Sequence, residues 1–221
     1  MSCFDKRFAS FLRALEKHND TAWFASHRAD YEAAVKAPFA AFTRDMLERV
    51  GKVDRTLAIA PRDAMSRITR DTRFLADKRP YNTHLTCSLS RFGRANREYP
   101  ATHLRLSAKG VVVFGGVHTA SAATQARVRD LIAKEGRSLQ RAVAARDFVR
   151  HFGELLGEER KRVPEDLREA VARRPLLGRR RWFFRAELPP SMLTEDALCD
   201  VLTEHWRAGR TVVAFLERAF V

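Results

Sequence analysis

The sequence predicts an α+β protein with an antiparallel meander sheet flanked by N-terminal and C-terminal helices. Three observations predict it. Apolar residues recur at helical spacing through the first fifty positions, alternate with polar ones from His84 to Phe114, and return to helical spacing in the last hundred. Strand and helix patterns do not interleave, so a βαβ sheet is not indicated. No internal repeat, low-complexity tract or composition break divides the 221 residues, and a single domain over 1–221 is the simplest account.

Phe4, Phe8, Phe11, Leu12 and Leu15 fall on one helical face, with Lys6, Arg13 and Lys17 between them. Asn19 is a stop signal and Asp20 an N-cap for a second helix bearing Trp23, Phe24, Arg28, Tyr31 and Val35. Pro38 is expected to open a third helix, with Phe39, Phe42, Met46, Leu47 and Val50 on one side and Gly51 at its end.

After Pro61 the period changes. Met65–Thr69 reads as a strand, and residues 70–83, which include Pro80, as a structured loop. Leu85, Cys87 and Leu89 then alternate with His84, Thr86, Ser88 and Ser90. A polar turn (R-F-G-R-A-N-R-E-Y-P) leads to a strand over Thr102–Ser107. Ala108-Lys109-Gly110 is a hairpin connection, and Val111–Phe114 is a third strand, which Gly115-Gly116 is expected to break.

Beyond the meander, Ser121 caps a helix with Val128, Leu131 and Ile132 that Gly136 closes. A further helix is expected from Ser138 to Val149, and another opening at Pro164 through Leu167 and Val171. Trp182-Phe183-Phe184 reads as an added strand. Leu193–Phe220 holds one or two helices interrupted near Gly209.

Lys+Arg number 41 against Asp+Glu 27, a formal net charge of +14, which favours polyanionic partners: nucleic acid, phosphorylated ligands or an anionic surface. The charge is spread along the chain, as a generally basic composition would also produce. With 45% hydrophobic residues, disorder is not expected. Cys3, Cys87 and Cys199 are odd in number and widely spaced, which argues against a disulfide framework or a zinc ribbon. There is no signal-peptide apolar core and no long apolar run, so a cytoplasmic location and no membrane partner are expected.

The densest chemistry lies in Arg67–His84, R-I-T-R-D-T-R-F-L-A-D-K-R-P-Y-N-T-H, with four Arg, one Lys, two Asp, a Pro-Tyr pair and a His. Arg67, Arg70, Arg73, Lys78 and Arg79 supply donors suited to phosphate or carboxylate. Arg67 and Arg70 would lie on opposite faces of a strand, which leaves Arg70, Arg73 and Lys78 as the better cluster. Tyr81 completes the ligand-binding set. The same charges, spaced R-x-x-R-D-x-R-x-x-x-D-K, also suit a web in which Asp71 and Asp77 hold the loop in shape. Asp71, Asp77, Tyr81 and His84 could form a proton-transfer set, with nearby Arg lowering the carboxylates. No G-x-S-x-G, P-loop or dinucleotide fingerprint accompanies them, and no cofactor is expected.

The chain resembles, nearly end to end, the family called domain of unknown function 2461. Trp23-Phe24, Arg28, Tyr31 and Pro38 carry the start of the resemblance. Arg67, Arg70-Asp71, Arg73-Phe74, Asp77-Lys78, Pro80-Tyr81 and His84 are its most specific part. Tyr99, His103-Leu104, Gly115-Gly116, Lys161-Arg162-Val163-Pro164 and the stretch from Arg174-Pro175 to Phe183 continue it. The chain departs after the glycine pair, where Val117-His118-Thr119-Ala120 replaces an aromatic and a Pro. The resemblance implies a shared fold and brings no activity with it.

Two competing sites are weaker. If Leu85 faces Leu106 and Cys87 faces Leu104, then His84 faces Ser107 and His103 faces Ser88. The two His are then roughly 13 Å apart at strand rise, too far for one zinc, so no metal site is expected. Arg91, Arg94, Arg97 and Arg105, with the basic-aromatic run Arg179–Arg185, could form a nucleic-acid surface. Trp182, Phe183 and Phe184 fit the core better than a stacking platform, and Trp23 and Trp206 sit on helical faces. The sequence reading is therefore recognition of an anionic ligand, a small molecule or nucleic acid, at the 67–84 loop. A hydrolase or transferase using Asp71, Asp77 and His84 is the alternative. Neither a reaction nor an oligomeric state follows from the residues.

Overall fold

The computed structural model describes residues 3–159, 165 and 168–220. Its strands form one four-stranded antiparallel sheet in the order β1-β2-β3-β4: His84–Leu89, Ala101–Ser107, Gly110–Val117 and Trp182–Leu188. Helices precede and follow the meander, the α+β arrangement the periodicities indicate. The chain divides into two compact units. One comprises Met1–Ala95, His103–Val113 and Glu187–Glu204, and the other Asn96–Thr102, Phe114–Ala186 and His205–Val221.

In the first unit, helix α1 (Lys6–Lys17) starts where Asp5 accepts the Arg7 N–H, and it buries Phe8, Phe11, Leu12 and Leu15. Asp20 caps α2 (Thr21–Ser26) through the Trp23 N–H at 2.8 Å. The helix expected from Asp20 breaks at His27, and α3 (Arg28–Tyr31) follows. Pro38 does not open a new helix. A π-helical turn, Glu32–Lys36, joins α3 to α4 (Ala37–Gly51). Proline has no N–H to give, and its ring crowds the carbonyl four residues back. The helix widens one residue before Pro38: the Ala37 N–H bonds to the Glu32 carbonyl, five residues back. Phe39, Phe42, Met46 and Val50 are buried along α4.

A short helix, α5 (Pro61–Ala64), leads to residues 65–69, which run beside β1 as an interrupted strand. Met65 pairs with Cys87 and Thr69 with Tyr81. Ser66 N–H donates to the Thr86 carbonyl at 2.9 Å, and Thr86 N–H donates to Ser66 Oγ at 2.8 Å. On β1, Leu85, Cys87 and Leu89 are buried, as are Leu104 and Leu106 on β2. His103 Nδ1 lies 3.1 Å from Ser88 Oγ, the partner that the Leu85–Leu106 register assigns to it.

In the second unit, α6 (Ala122–Val143) is capped by Ser121 and buries Val128, Ile132 and Leu139. Gly136 does not close this helix. The chain kinks at Glu135 (φ −128°, ψ 22°) and continues, so a separate helix over 138–149 is replaced by the end of α6 and by α7 (Arg146–Phe152). Glu135 is bonded to Arg218, and Arg174 donates to the Ile132 and Ala133 carbonyls beside the kink. The helix expected from Pro164 through Leu167 opens outside the described residues, as do Lys161-Arg162-Val163. Its later part appears as α8 (Arg168–Arg173).

Two expected glycine breaks are instead close approaches to Phe184. Strand β3 runs through Gly115-Gly116, and α9 (Leu198–Glu217) runs through Gly209. A Cβ at Gly115 or Gly209 would stand 2.4 Å from the Phe184 ring, and one at Gly116 (φ +101°) would stand 2.3 Å from the Trp182 carbonyl oxygen. Trp182 and Phe184 are fully buried, and Phe148 and Phe152 pack against Phe184 with ring centroids 5.4 and 4.4 Å away. No helix among the described residues is long and apolar enough to cross a membrane.

Candidate ligand cleft at the 70–84 loop

The loop is closed at its neck by backbone. Arg70 N–H donates to the Pro80 carbonyl at 2.8 Å, and Asn82 N–H to the Ile68 carbonyl at 2.7 Å. Asn19 clamps it from the α1–α2 junction: its side chain accepts from Tyr81 N–H and donates to the Tyr81 carbonyl, both at 3.0 Å. Tyr81 then stacks on Phe24 of α2, centroids 4.0 Å apart and planes at 17°. Asn19 thus does more than stop a helix. Its partner is 62 residues away, and no local pattern announces that pairing.

Within the loop a D-x-R spacing recurs. Asp71 accepts the Arg73 N–H at 3.2 Å and the Arg73 guanidinium at 2.9 and 2.7 Å. Asp77 accepts the Arg79 N–H at 3.1 Å and the Arg79 guanidinium at 2.8–3.0 Å. Asp5-Lys6-Arg7 makes the same unit at the head of α1. An aspartate that caps the N–H two residues on, in the manner of an Asx turn, aims its carboxylate at the side chain of that residue. The unit at 77–79 differs in one respect: its carboxylate also accepts Arg70 Nη1, at 2.9 Å.

That shared carboxylate stands in a cleft of about 240 Å³ lined by Arg70, Asp77, Arg79, Tyr81, Asn82, Thr83 and His84. The fold therefore brings together Arg70, Tyr81, Asp77 and His84 of the expected site residues. Arg67, Asp71, Arg73 and Lys78 are not among the lining groups. Arg67 is exposed, and its carbonyl accepts from Asn82 Nδ2. Lys78 turns its ammonium onto the Thr72 and Arg73 carbonyls, at 3.1 and 3.5 Å. Arg73 and Asp71 pair with each other at the surface. The cluster Arg70–Arg73–Lys78 does not assemble, because Arg73 and Lys78 are committed to the loop's own polar groups. Arg79 takes their place. Asn82 and Thr83, which the sequence reading passed over, complete the wall, and they follow from the neck geometry.

The charges are strongly coupled. The Arg79 guanidinium first, and Arg70 second, hold the Asp77 carboxyl well below the usual carboxylate range. Arg73 lowers Asp71 in the same way. Burial pushes His84 down to about 4, with the positive charges of Arg105 and Arg70 adding to it. At neutral pH the cleft thus presents two guanidiniums, one firmly ionised carboxylate and a neutral imidazole. A carboxylate held by two guanidiniums is a weak proton acceptor. Separately, Cys3, Asp45 and Cys199 bring ligand-capable atoms within 4.8 Å of one another, a grouping that the wide sequence spacing conceals.

Fold and cleft together define a class: an α+β protein in which an arginine–aspartate loop opens on a small polar cleft beside the first strand. Residues 7–215 match the family described as conserved hypothetical protein (DUF2461), and the chain belongs to that family. No curated protein and no solved structure matches the chain.

Proposed function

We propose that the cleft binds a small ligand bearing a phosphate or carboxylate group, with Arg70 as its principal contact. The observation that carries this reading is the state of Arg70. Its side chain is 19% exposed, and its guanidinium is oriented by Asp77 through Nη1 while it lines the cleft. A guanidinium held in place loses little freedom when it meets an anion, and its fork matches carboxylate and phosphate oxygens. Arg79 adds a second positive group, and Asn82, Thr83 and Tyr81 add polar atoms that select orientation. His84, neutral among cations, can accept or donate a hydrogen bond without adding repulsion.

Thermal unfolding at low ionic strength with inorganic phosphate, pyrophosphate and citrate tests the reading. A ligand at a hundred times its Kd stabilises by about 2.7 kcal/mol. The expected result is a rise in Tm with at least one of these anions, lost in Arg70→Gln. No shift with any of them, or a shift that Arg70→Gln leaves intact, would contradict it. Single-stranded DNA belongs in the same experiment. Binding that falls steeply with salt and ignores Arg70→Gln would move the reading to a broad basic surface. The aromatic platform such a surface would use is reduced, since Trp182 and Phe184 are buried. For the alternative, a hydrolase or transferase using Asp71, Asp77 and His84, Asp77 and His84 line the cleft while Asp71 is paired with Arg73 away from the lining groups.

A further inference from the structure

Cys3 precedes α1 and Cys199 is the second residue of α9, yet their sulfurs lie 2.9 Å apart. The approach is supported on both sides. Phe4, 2% exposed, is packed against Phe8 and Phe42 with centroids 4.3 and 5.3 Å away, which fixes the residue next to it. Asp45 and Arg49 of α4 complete the surroundings. Arg49 bridges Asp45 and Asp200, binding Asp45 through Nε at 2.9 Å. Cys3 is part-exposed and Cys199 is 2% exposed. One sulfur is therefore open to a small reagent and the other is held behind it.

Two chemistries fit two thiols and a carboxylate: a metal ion or a disulfide. Two sulfurs on one tetrahedral zinc, each bonded at about 2.3 Å, stand roughly 3.8 Å apart. A disulfide needs about 2.05 Å, so the observed pair must close by roughly 0.9 Å. The separation is roughly 0.9 Å from either value; a zinc would also have to take the Asp45 carboxylate, which Arg49 already holds through Nε at 2.9 Å, whereas a disulfide needs the two sulfurs alone. We propose that Cys3 and Cys199 are a peroxide-sensitive thiol pair that closes to a reversible intramolecular disulfide.

The steps balance. The Cys3 sulfur attacks one peroxide oxygen and the O–O bond breaks. The departing hydroxide takes the Cys3 proton and leaves as water, and Cys3 becomes a sulfenic acid. The Cys199 sulfur then attacks the Cys3 sulfur and the S–O bond breaks. The departing hydroxide takes the Cys199 proton as a second water. Two thiols lose two electrons and one peroxide gains them. Cys3 suits the first step: its hydrogen bond with Cys199, and Arg49 nearby, lower its pKa against burial and the charge of Asp45. Cys87 is the internal control. It is fully buried on β1, and burial pushes its pKa up to about 12.

The experiment treats the full-length protein with equimolar hydrogen peroxide, blocks thiols in denaturant and maps peptides without reduction. The expected product is a peptide pair linked through Cys3 and Cys199, with Cys87 alkylated, and dithiothreitol added before the blocking step should leave Cys3 and Cys199 alkylated as well. The linked pair should be absent in Cys3→Ser, whose far-UV spectrum should match wild type. Oxidation should also raise Tm in wild type and not in Cys3→Ser. Over-oxidised or intermolecularly linked Cys3 beside a free Cys199 would overturn the proposal. So would stoichiometric zinc uptake that shields both thiols from peroxide, which would assign the cluster to a metal.

Discussion

Strand β1 and the loop that delivers the chain to it are held in shape by different forces. On β1, Leu85 and Cys87 are at most 1% exposed, and their position is set by apolar burial. The loop has little to bury beyond its neck: Phe74 is 92% exposed and Leu75 43%. Its shape comes from the two D-x-R pairs, from Lys78 on backbone carbonyls and from Asn19 at the neck. The burial of leucine side chains involves no charge that salt can screen or acid titrate, whereas exposed ion pairs are sensitive to both. The lesson is one of division of labour. The strand supplies a rigid wall, and an electrostatically shaped loop supplies charges whose arrangement a ligand can share.

The largest expected effect is on the strand. Leu85→Ala should cost about 2–5 kcal/mol in chemical denaturation, as deletion of a fully buried leucine side chain does. Next comes acid. The folded state holds His84 at about 4 against an ordinary 6.5. Between those values the unfolded chain takes up a proton that the folded one does not. Stability should therefore fall as pH drops from 6.5 to 4, and be level in this respect above 6.5. His84→Asn should flatten that slope in urea midpoints measured across the window. Asp77→Asn should act locally. It replaces the carboxylate shared by Arg70 and Arg79 with a neutral amide that has one acceptor oxygen in place of two, so amide exchange over residues 70–80 should quicken while exchange on β1 stays unchanged. The smallest effect belongs to Arg73→Ala, whose pair with Asp71 is exposed. Its urea midpoint should match wild type, and its anion binding should too, since Arg73 does not line the cleft. If Arg73→Ala unfolds the loop as Asp77→Asn does, the distinction between the two D-x-R units fails.

The sequence makes the meander and its register legible because alternation at Leu85, Cys87, Leu104 and Leu106 encodes which side is buried. The helices are legible where caps are local, as at Asp20 and Ser121. Glycine and proline mislead where their role is tertiary. Gly115 and Gly209 make room for a ring far away in sequence, and Pro38 is absorbed by a π turn. At the cleft, residue type does not tell which cations of the 67–84 stretch converge. Arg73 and Arg79 look equivalent in D-x-R units, and only Arg70 reaching Asp77 separates them. Asn19 with Tyr81, and Cys3 with Cys199, are joined by the fold alone.

The most direct test of anion recognition is an NMR titration of the His84 imidazole with and without saturating inorganic phosphate. Its pKa should lie near 4 in the free protein. An anion bound between Arg70 and His84 stabilises the imidazolium, so the pKa should rise on phosphate binding and the ring resonances should shift in wild type but not in Arg70→Gln. Resonances and pKa that do not respond to phosphate, in a protein whose His84 titrates as it does in Arg70→Gln, would contradict an anion site at this cleft.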